Sequence, residues 1–176
     1  MKTISRKVIA LAALILLSAA SAVAGPPEQQ TMDKVRKELV TLPYFGVFDN
    51  LEYKVEGGTV TLYGQVVRPS TRSDAAKRVA RVEGVDRVIN NIEVLPLSGF
   101  DDSIRDREYR AIFRSGSLYR YALGANPSIH IIVNRGRVTL EGIVSSQMDS
   151  QLAAIAARGV SGVFAVTNNL RVERKS

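Results

Sequence analysis

Residues 58–66 read GTVTLYGQV, and 78 positions later residues 136–144 read GRVTLEGIV. A second pair stands at the same offset, because residues 84–94 read GVDRVINNIEV and residues 162–172 read GVFAVTNNLRV. So many matches in one ungapped register exceed what chance would produce, so the chain contains two copies of one unit. Two copies predict a tandem of small domains rather than a solenoid, which would need more repeats.

Helical apolar spacing and strand-like alternation predict the same five elements in each copy. In copy one they are a helix, a two-stranded hairpin, a helix and a strand over 32–42, 51–55, 60–66, 70–82 and 85–95. In copy two the corresponding elements occupy 103–114, 129–134, 137–144, 147–157 and 163–172. Ser70 or Thr71 is expected to cap the second helix of copy one, and Gly84 is expected to end it.

The order α-β-β-α-β, twice, predicts an α+β fold of two tandem units, each a three-stranded mixed sheet with helices on one face. The helices share one face because each strand has only one apolar side. The third strand follows the second through a helix, which favours a parallel crossover. We expect a linker over 25–30 and domains over 31–97 and 102–173. Units of this size lie near the lower limit for an independent core, so the two should pack on each other.

Residues 1–24 have the pattern of a secretory signal peptide. A basic start at Lys2, Arg6 and Lys7 precedes an apolar run over 8–17 and a small-x-small cleavage site over 22–24. The run is short for a bilayer span, so an uncleaved membrane anchor is the less favoured alternative. No cysteine follows it, which excludes a lipid-anchored lipoprotein. The expected location is the periplasm, with full secretion left open.

Composition excludes several classes of function. The chain has 24 Lys plus Arg against 17 Asp plus Glu, and removal of residues 1–24 leaves 21 against 17, a charge of +4. That excess is too small to favour nucleic acid. Without cysteine and with one histidine there is no thiolate or paired-histidine metal site, and we expect no catalytic residues, metal or cofactor. The histidine, His130, stands between two isoleucines that should face the core, so it is predicted to lie on the surface.

The repeated pattern resembles the BON domain. Its parts are the hairpin G-x-V-x-L-x-G-x-V, an alanine-containing helix, and G-V-x-x-V-x-N-N-(I/L)-x-V, present in both copies over about residues 31–97 and 102–173. The resemblance implies a bacterial envelope protein, similar to osmotic-shock periplasmic proteins, that binds phospholipid membranes. It implies no agreed catalytic residues. The helix that opens copy two departs from copy one, because it is richer in arginine and tyrosine.

The matched glycines are interpreted as structural rather than as a ligand cradle. Two are expected in hairpin turns, two inside strands where another backbone approaches, and two after helices. In that order they are Gly58, Gly136, Gly64, Gly142, Gly84 and Gly162. One asparagine of each Asn-Asn pair is expected to bond a neighbouring loop, because an unsatisfied buried amide is costly. A ligand role is the less favoured alternative for these asparagines.

The most informative candidate site combines arginine with aromatic residues. Arg107, Arg110 and Arg114 share one helical face, and Tyr119, Arg120 and Tyr121 follow. Arginine bonds phosphate bidentately and tyrosine favours the boundary between apolar and wet regions, so these six residues are predicted to contact an anionic phospholipid surface. The alternative is a solvated helix face on which the arginines pair with Asp or Glu.

A second candidate is the loop over 42–48, whose apolar density exceeds what a loop needs. Tyr44, Phe45 and Phe48 either cover a core edge or form a patch for a partner protein. The alternative function is therefore a protein-interaction or chaperone module that docks to an outer-membrane or secretion partner through this loop or through a sheet edge.

Overall fold

A computed structural model describes residues 26–114, 116–124 and 126–173. The predicted signal peptide over 1–24 lies outside the described residues. Within the described ranges, no helix is both long enough and apolar enough to cross a membrane.

Each copy contains two helices and a mixed sheet, which confirms the predicted α+β class. The elements of copy one are α1 (Pro26–Val40), β1 (Asn50–Glu56), β2 (Thr59–Val66), α2 (Pro69–Val79), β3 (Arg87–Asn90) and β4 (Glu93–Val94). Those of copy two are α3 (Gly99–Phe113), a 3₁₀ turn (Tyr119–Ala122), β5 (Ile129–Asn134), β6 (Arg137–Val144), α4 (Gln147–Arg158), β7 (Ala165–Asn168) and β8 (Arg171–Val172).

The central strand of each sheet is the second strand of the hairpin. In copy one, β2 pairs antiparallel with β1 and parallel with β3 and β4. In copy two, β6 makes the same antiparallel and parallel pairings with β5, β7 and β8. The parallel crossover through the second helix is therefore present in both copies. Val60, Leu62 and Val66 of β2 are fully buried, because the central strand lies beneath the helices.

The predicted third strand is broken in both copies by the first asparagine of the Asn-Asn pair. The Asn90 side chain accepts a hydrogen bond from the Ile92 amide at 3.2 Å and donates to the Arg72 carbonyl at 3.0 Å. Asn168 makes the same two kinds of bond, to the Leu170 amide and to Ser150. The first asparagine of each pair therefore bonds the backbone of the second helix, and the prediction that it bonds a neighbouring loop is wrong. The bond back onto its own chain interrupts the ladder between β3 and β4.

Helices α1, α2 and α3 begin earlier than the sequence pattern predicted, whereas α4 begins at Gln147 as expected. Helix α1 starts at Pro26, so most of the expected linker over 25–30 is helical; a first-turn proline removes only an amide that would lack a helical partner. Helix α2 starts at Pro69, so the prediction that Ser70 or Thr71 caps it is wrong. Arg68 is the capping residue, and the proline again occupies the first turn, where its missing amide costs no helical hydrogen bond. The expected start of α3 at residue 103 moves to Gly99, because the Ser98 hydroxyl accepts the Asp101 amide at 3.2 Å.

Two of the matched glycines allow β1 and β5 to approach the central strands closely. Gly64 and Gly142 have φ values of +111° and +116°, and a side chain on them would overlap the carbonyl oxygens of Asn50 and Ser128 respectively. Gly84 does not end a helix, because α2 ends at Val79. It lies instead under α1, with no room for a side chain against Thr31.

The two copies contact each other through the loop over 42–48. The Val47 carbonyl accepts a hydrogen bond from the Ile131 amide at 2.7 Å, which places the loop along the edge of β5. Val47 and Phe48 also pack against the core of copy two. The Asn126 side chain donates to the Val40 carbonyl at 2.7 Å. The loop therefore covers the edge of the second core, one of the two alternatives that its apolar density predicted.

Candidate functional site

A groove of about 660 Å³ lies between the carboxyl end of α3 and the 3₁₀ turn. Its lining combines cationic and aromatic side chains: Asp106, Tyr109, Arg110, Phe113, Arg114, Gly116, Tyr119 and Ala122. Tyr109 is 40% exposed and Tyr119 is 60% exposed, so both rings reach solvent at the rim. The structure thus brings together Arg110, Arg114 and Tyr119 of the six residues predicted to contact phospholipid.

The two arginines of the groove differ in their surroundings. Arg110 forms an exposed ion pair with Asp106, one turn earlier in α3. This is the Arg–Asp pairing that was the alternative interpretation of the helix, and such a pair contributes at most about 1 kcal/mol. Arg114 is exposed at the last turn, where Gly116 and Tyr119 complete the wall. A guanidinium in such a setting can bind an anionic oxygen without first leaving a buried partner.

Tyr109 and Phe113 are the groove residues that the sequence prediction missed. The centroids of their rings lie 4.9 Å apart, because residues four apart in a helix are neighbours on its surface. The signal was present in the sequence as an aromatic pair at this spacing on either side of Arg110. The prediction had weighed the arginines and the tyrosines that follow the helix.

Arg120 and Tyr121 were predicted to contact lipid, and the structure gives both an internal role. Tyr121 is buried, donates to the Asp149 carboxylate at 2.9 Å and accepts the Ser145 amide at 2.8 Å. Arg120 donates to the same carboxylate at 2.7 Å. The bonds from Ser146, Tyr121 and Arg120 hold the pKa of Asp149 below its usual value. Tyr121 is therefore unavailable to a membrane, and half-exposed Arg120 stabilises the start of α4.

Arg107 lies apart from the groove although it shares a helical face with Arg110 and Arg114. Its side chain is half-buried against Gly162, and its Nε is buried with no hydrogen-bond partner among the described residues. Spacing along α3 could not separate Arg107 from the others, because the neighbour that covers it comes from the loop after α4.

The predicted partner patch is divided by the contact between the copies. Phe45 packs against His130 with ring centroids 5.4 Å apart, and Phe48 packs against Tyr109 at 6.4 Å. Only Tyr44 is left largely exposed, at 67%, with the Arg68 guanidinium over its ring. The three residues therefore do not form one free aromatic surface.

His130 is a contact between the copies and not the surface residue that strand alternation predicted. Its Nδ1 lies 3.2 Å from the Gly46 carbonyl oxygen, and Phe45 covers the ring. Burial lowers the pKa of His130, although Gly46 and Asp49 oppose the shift. Alternation correctly turned the ring away from the core of copy two, but copy one covers that side of the sheet.

Glu108 is a buried carboxyl in the core region of copy two. It is fully buried in α3, and neither carboxylate oxygen has a hydrogen-bond partner in the part of the chain that the structure describes. Burial raises the pKa of Glu108 to about 7. The described residues contain no cluster of histidine and carboxylate side chains that could hold a metal ion.

Comparison with known proteins identifies the repeated unit. The family model of the BON domain matches residues 27–96 and 117–174. No curated protein sequence matches the chain. Two solved structures of CdsD, the structural protein of the type III secretion system of Chlamydia trachomatis, are similar at 12% identity. The structure of its C-terminal domain matches with a TM-score of 0.29 and covers 81% of this chain and 97% of the CdsD chain. The second CdsD structure matches with a TM-score of 0.30 and covers 82% of this chain and 92% of the CdsD chain.

Proposed function

The chain belongs to the BON domain family, and from this premise we propose that it is a non-catalytic envelope protein that binds anionic phospholipid surfaces. The groove at the end of α3 is the proposed headgroup site. Arg110 and Arg114 would bond phosphate oxygens there, while Tyr109 and Tyr119 would lie at the boundary between headgroups and water.

The observation that carries this proposal is the meeting of two arginines and two half-exposed tyrosines around one groove. Each exposed arginine near an anionic bilayer contributes about 1 kcal/mol to binding. The surrounding rings supply apolar contact that a purely electrostatic site would lack. The family's association with bacterial envelopes, together with the signal-like residues 1–24, supports a periplasmic location for the proposed activity.

The alternative is that the chain binds a partner protein through the loop over 42–48 or through a sheet edge. The contact between the copies covers part of both surfaces. The loop over 42–48 forms a hydrogen bond and a ring contact with β5, so neither surface is free for docking where they meet. Failure of the chain to bind any vesicle would favour a protein partner over lipid.

The test is co-sedimentation of residues 25–176 with vesicles of phosphatidylcholine alone or mixed with phosphatidylglycerol. Binding should require phosphatidylglycerol and weaken as salt is added, because exposed charges are screened. Arg110→Gln combined with Arg114→Gln should lower the affinity by about thirtyfold, at about 1 kcal/mol for each arginine. The circular dichroism spectrum should be unchanged.

The matched control combines Arg72→Gln with Arg81→Gln, two exposed arginines of copy one. It removes the same charge from copy one, away from the groove, and should retain nearly full affinity. Equal losses in both double variants would show that net charge alone attracts the protein. Full affinity in the Arg110/Arg114 variant would exclude the groove as the headgroup site.

A further inference from the structure

Helix α4 presents an apolar stripe to solvent. Met148, Leu152 and Ile155 are 69%, 37% and 63% exposed, and their spacing of four and three residues places them on one side of the helix. The opposite side is buried through Ala153 and Ala157. The helix therefore packs on the sheet with its small residues and leaves its large apolar residues outside.

Copy one shows that the fold does not require this stripe. At the repeat offset of 78, the three positions correspond to Ser70, Asp74 and Lys77 on the outer side of α2. The buried side is retained, since Ala75 and Val79 are fully buried at the positions equivalent to Ala153 and Ala157. The same helix in the same sheet thus has a polar outer face in one copy and an apolar one in the other.

The exposed charge on α4 favours an anionic surface. Arg158 is the only charged residue among the exposed positions of α4, all of which the structure describes. The only acidic residue of the helix, Asp149, is buried and bound by Arg120. Arg120 also follows Tyr119 in the chain, so it links the start of α4 to the groove at the end of α3.

The shape of the stripe favours a lipid surface over a peptide. Its three residues stand on the outer side of a single helix and form a ridge, whereas an amphipathic peptide helix docks into a groove. A helix with an apolar side and cationic neighbours lies in the plane of the bilayer interface, with that side buried among the upper acyl segments.

We propose that the stripe formed by Met148, Leu152 and Ile155 inserts into the acyl boundary of an anionic bilayer. It acts beside the headgroup site in the groove of α3, so this inference rests on the proposed function. The groove selects anionic headgroups, and the stripe supplies apolar burial that salt does not screen.

The first experiment uses the absence of tryptophan from the chain. Leu152→Trp places a single tryptophan on the stripe, and Asp74→Trp places the matched control on α2; selective excitation of tryptophan avoids the tyrosines. With vesicles of phosphatidylcholine and phosphatidylglycerol, the emission of Leu152→Trp should shift to the blue, and phospholipids brominated on their acyl chains should quench it. Asp74→Trp should show neither change. An unquenched Leu152→Trp on vesicles that bind the protein would overturn the insertion.

The second experiment transfers the outer face of copy one to copy two. The triple variant Met148→Ser, Leu152→Asp, Ile155→Lys leaves the net charge unchanged and uses residues that the fold accepts at the equivalent positions. Its affinity for the same vesicles should fall by about a hundredfold, because three apolar contacts are lost together. Its thermal midpoint should stay close to that of the parent protein.

The outcomes separate this inference from the proposed function. If the triple variant binds as tightly as the parent while the Arg110/Arg114 variant does not, the groove binds the headgroup but the stripe does not insert. If the parent binds no vesicle of any composition, both proposals fail. If Leu152→Trp shifts to the blue without lipid as the protein concentration rises, a second copy of the chain covers the stripe and insertion is wrong.

Discussion

In copy one the Val67 amide donates to the buried carboxylate of Asp49 at 2.8 Å, whereas in copy two the equivalent amide, that of Ser145, donates to the Tyr121 hydroxyl at 2.8 Å. Both amides directly follow the central strand, and each donates to a side chain in a part-buried hydrogen bond. The backbone requirement is common to the copies, but different parts of the chain meet it. Tyr121, which resembles a lipid-facing residue in the sequence, is thereby committed to the interior.

The first helices show the same contrast within the core. Val35 in α1 and Glu108 in α3 are both fully buried. The first helix of copy one thus buries an apolar side chain, whereas that of copy two also buries a carboxyl that lacks a partner among the described residues. The copies share their strands and their turn geometry, while copy two carries departures in its helices at both buried and exposed positions.

The largest expected effect tests what the copies share. Gly64→Val and Gly142→Val should each lower the free energy of unfolding by about 3 kcal/mol, because a β-branched residue at positive φ would also collide with a backbone carbonyl. Urea denaturation measures the change. Gly99→Val is the control, since a side chain there meets open space. A large loss in only one copy would show that the strands do not share this close approach.

The next effect in size tests how the cores differ. Because the folded-state pKa of Glu108 lies near 7, above the ordinary value of 4.5, ionisation of this carboxyl should destabilise copy two. The stability tied to its protonated form should be fully present below pH 4.5 and lost as the pH rises through about 7. Glu108→Val replaces the carboxyl with an apolar side chain. It should raise the free energy of unfolding by about 3 kcal/mol more above pH 7 than below pH 4.5, because each pKa unit corresponds to about 1.4 kcal/mol.

Urea denaturation across this pH range compares Glu108→Val with the parent. Glu108→Val removes the pH dependence of stability from copy two. The reverse substitution, Val35→Glu, should introduce the same pH dependence of stability in copy one. If the parent and Glu108→Val have parallel pH profiles, the carboxyl is not buried without a partner.

The smallest effect tests the contact between the copies. Burial depresses the pKa of His130, so below its ordinary value of 6.5 the unfolded chain binds a proton that the folded chain does not. Stability should therefore decline as the pH falls below 6.5, and His130→Gln should remove the decline. Because the chain has one histidine, a single imidazole NMR signal follows the titration. A midpoint at 6.5 would place the ring in solvent.

The sequence predicted which helix carries the candidate site, but it could not predict which residues of that region line the groove. The arginine spacing directed the site prediction to α3, and the groove there contains Arg110, Arg114 and Tyr119. Arg107 and Tyr121 could not be separated from them by spacing, because the groups that cover or bind them, Gly162 and Asp149, lie far along the chain. The apolar stripe of α4 is visible as helical periodicity, but periodicity does not say which side of a helix is buried.

The sequence by itself determined the tandem of α-β-β-α-β units, the mixed sheets and the two glycines at the close approach of the hairpin strands. These features follow from local periodicity and from a repeat in which each copy confirms the other. Only the tertiary structure decided which arginines line the groove, that His130 lies between the copies, and that Asn90 and Asn168 break the third strands. Each of those outcomes depends on where one element packs on another, and short-range pattern does not encode contacts between residues distant in the chain.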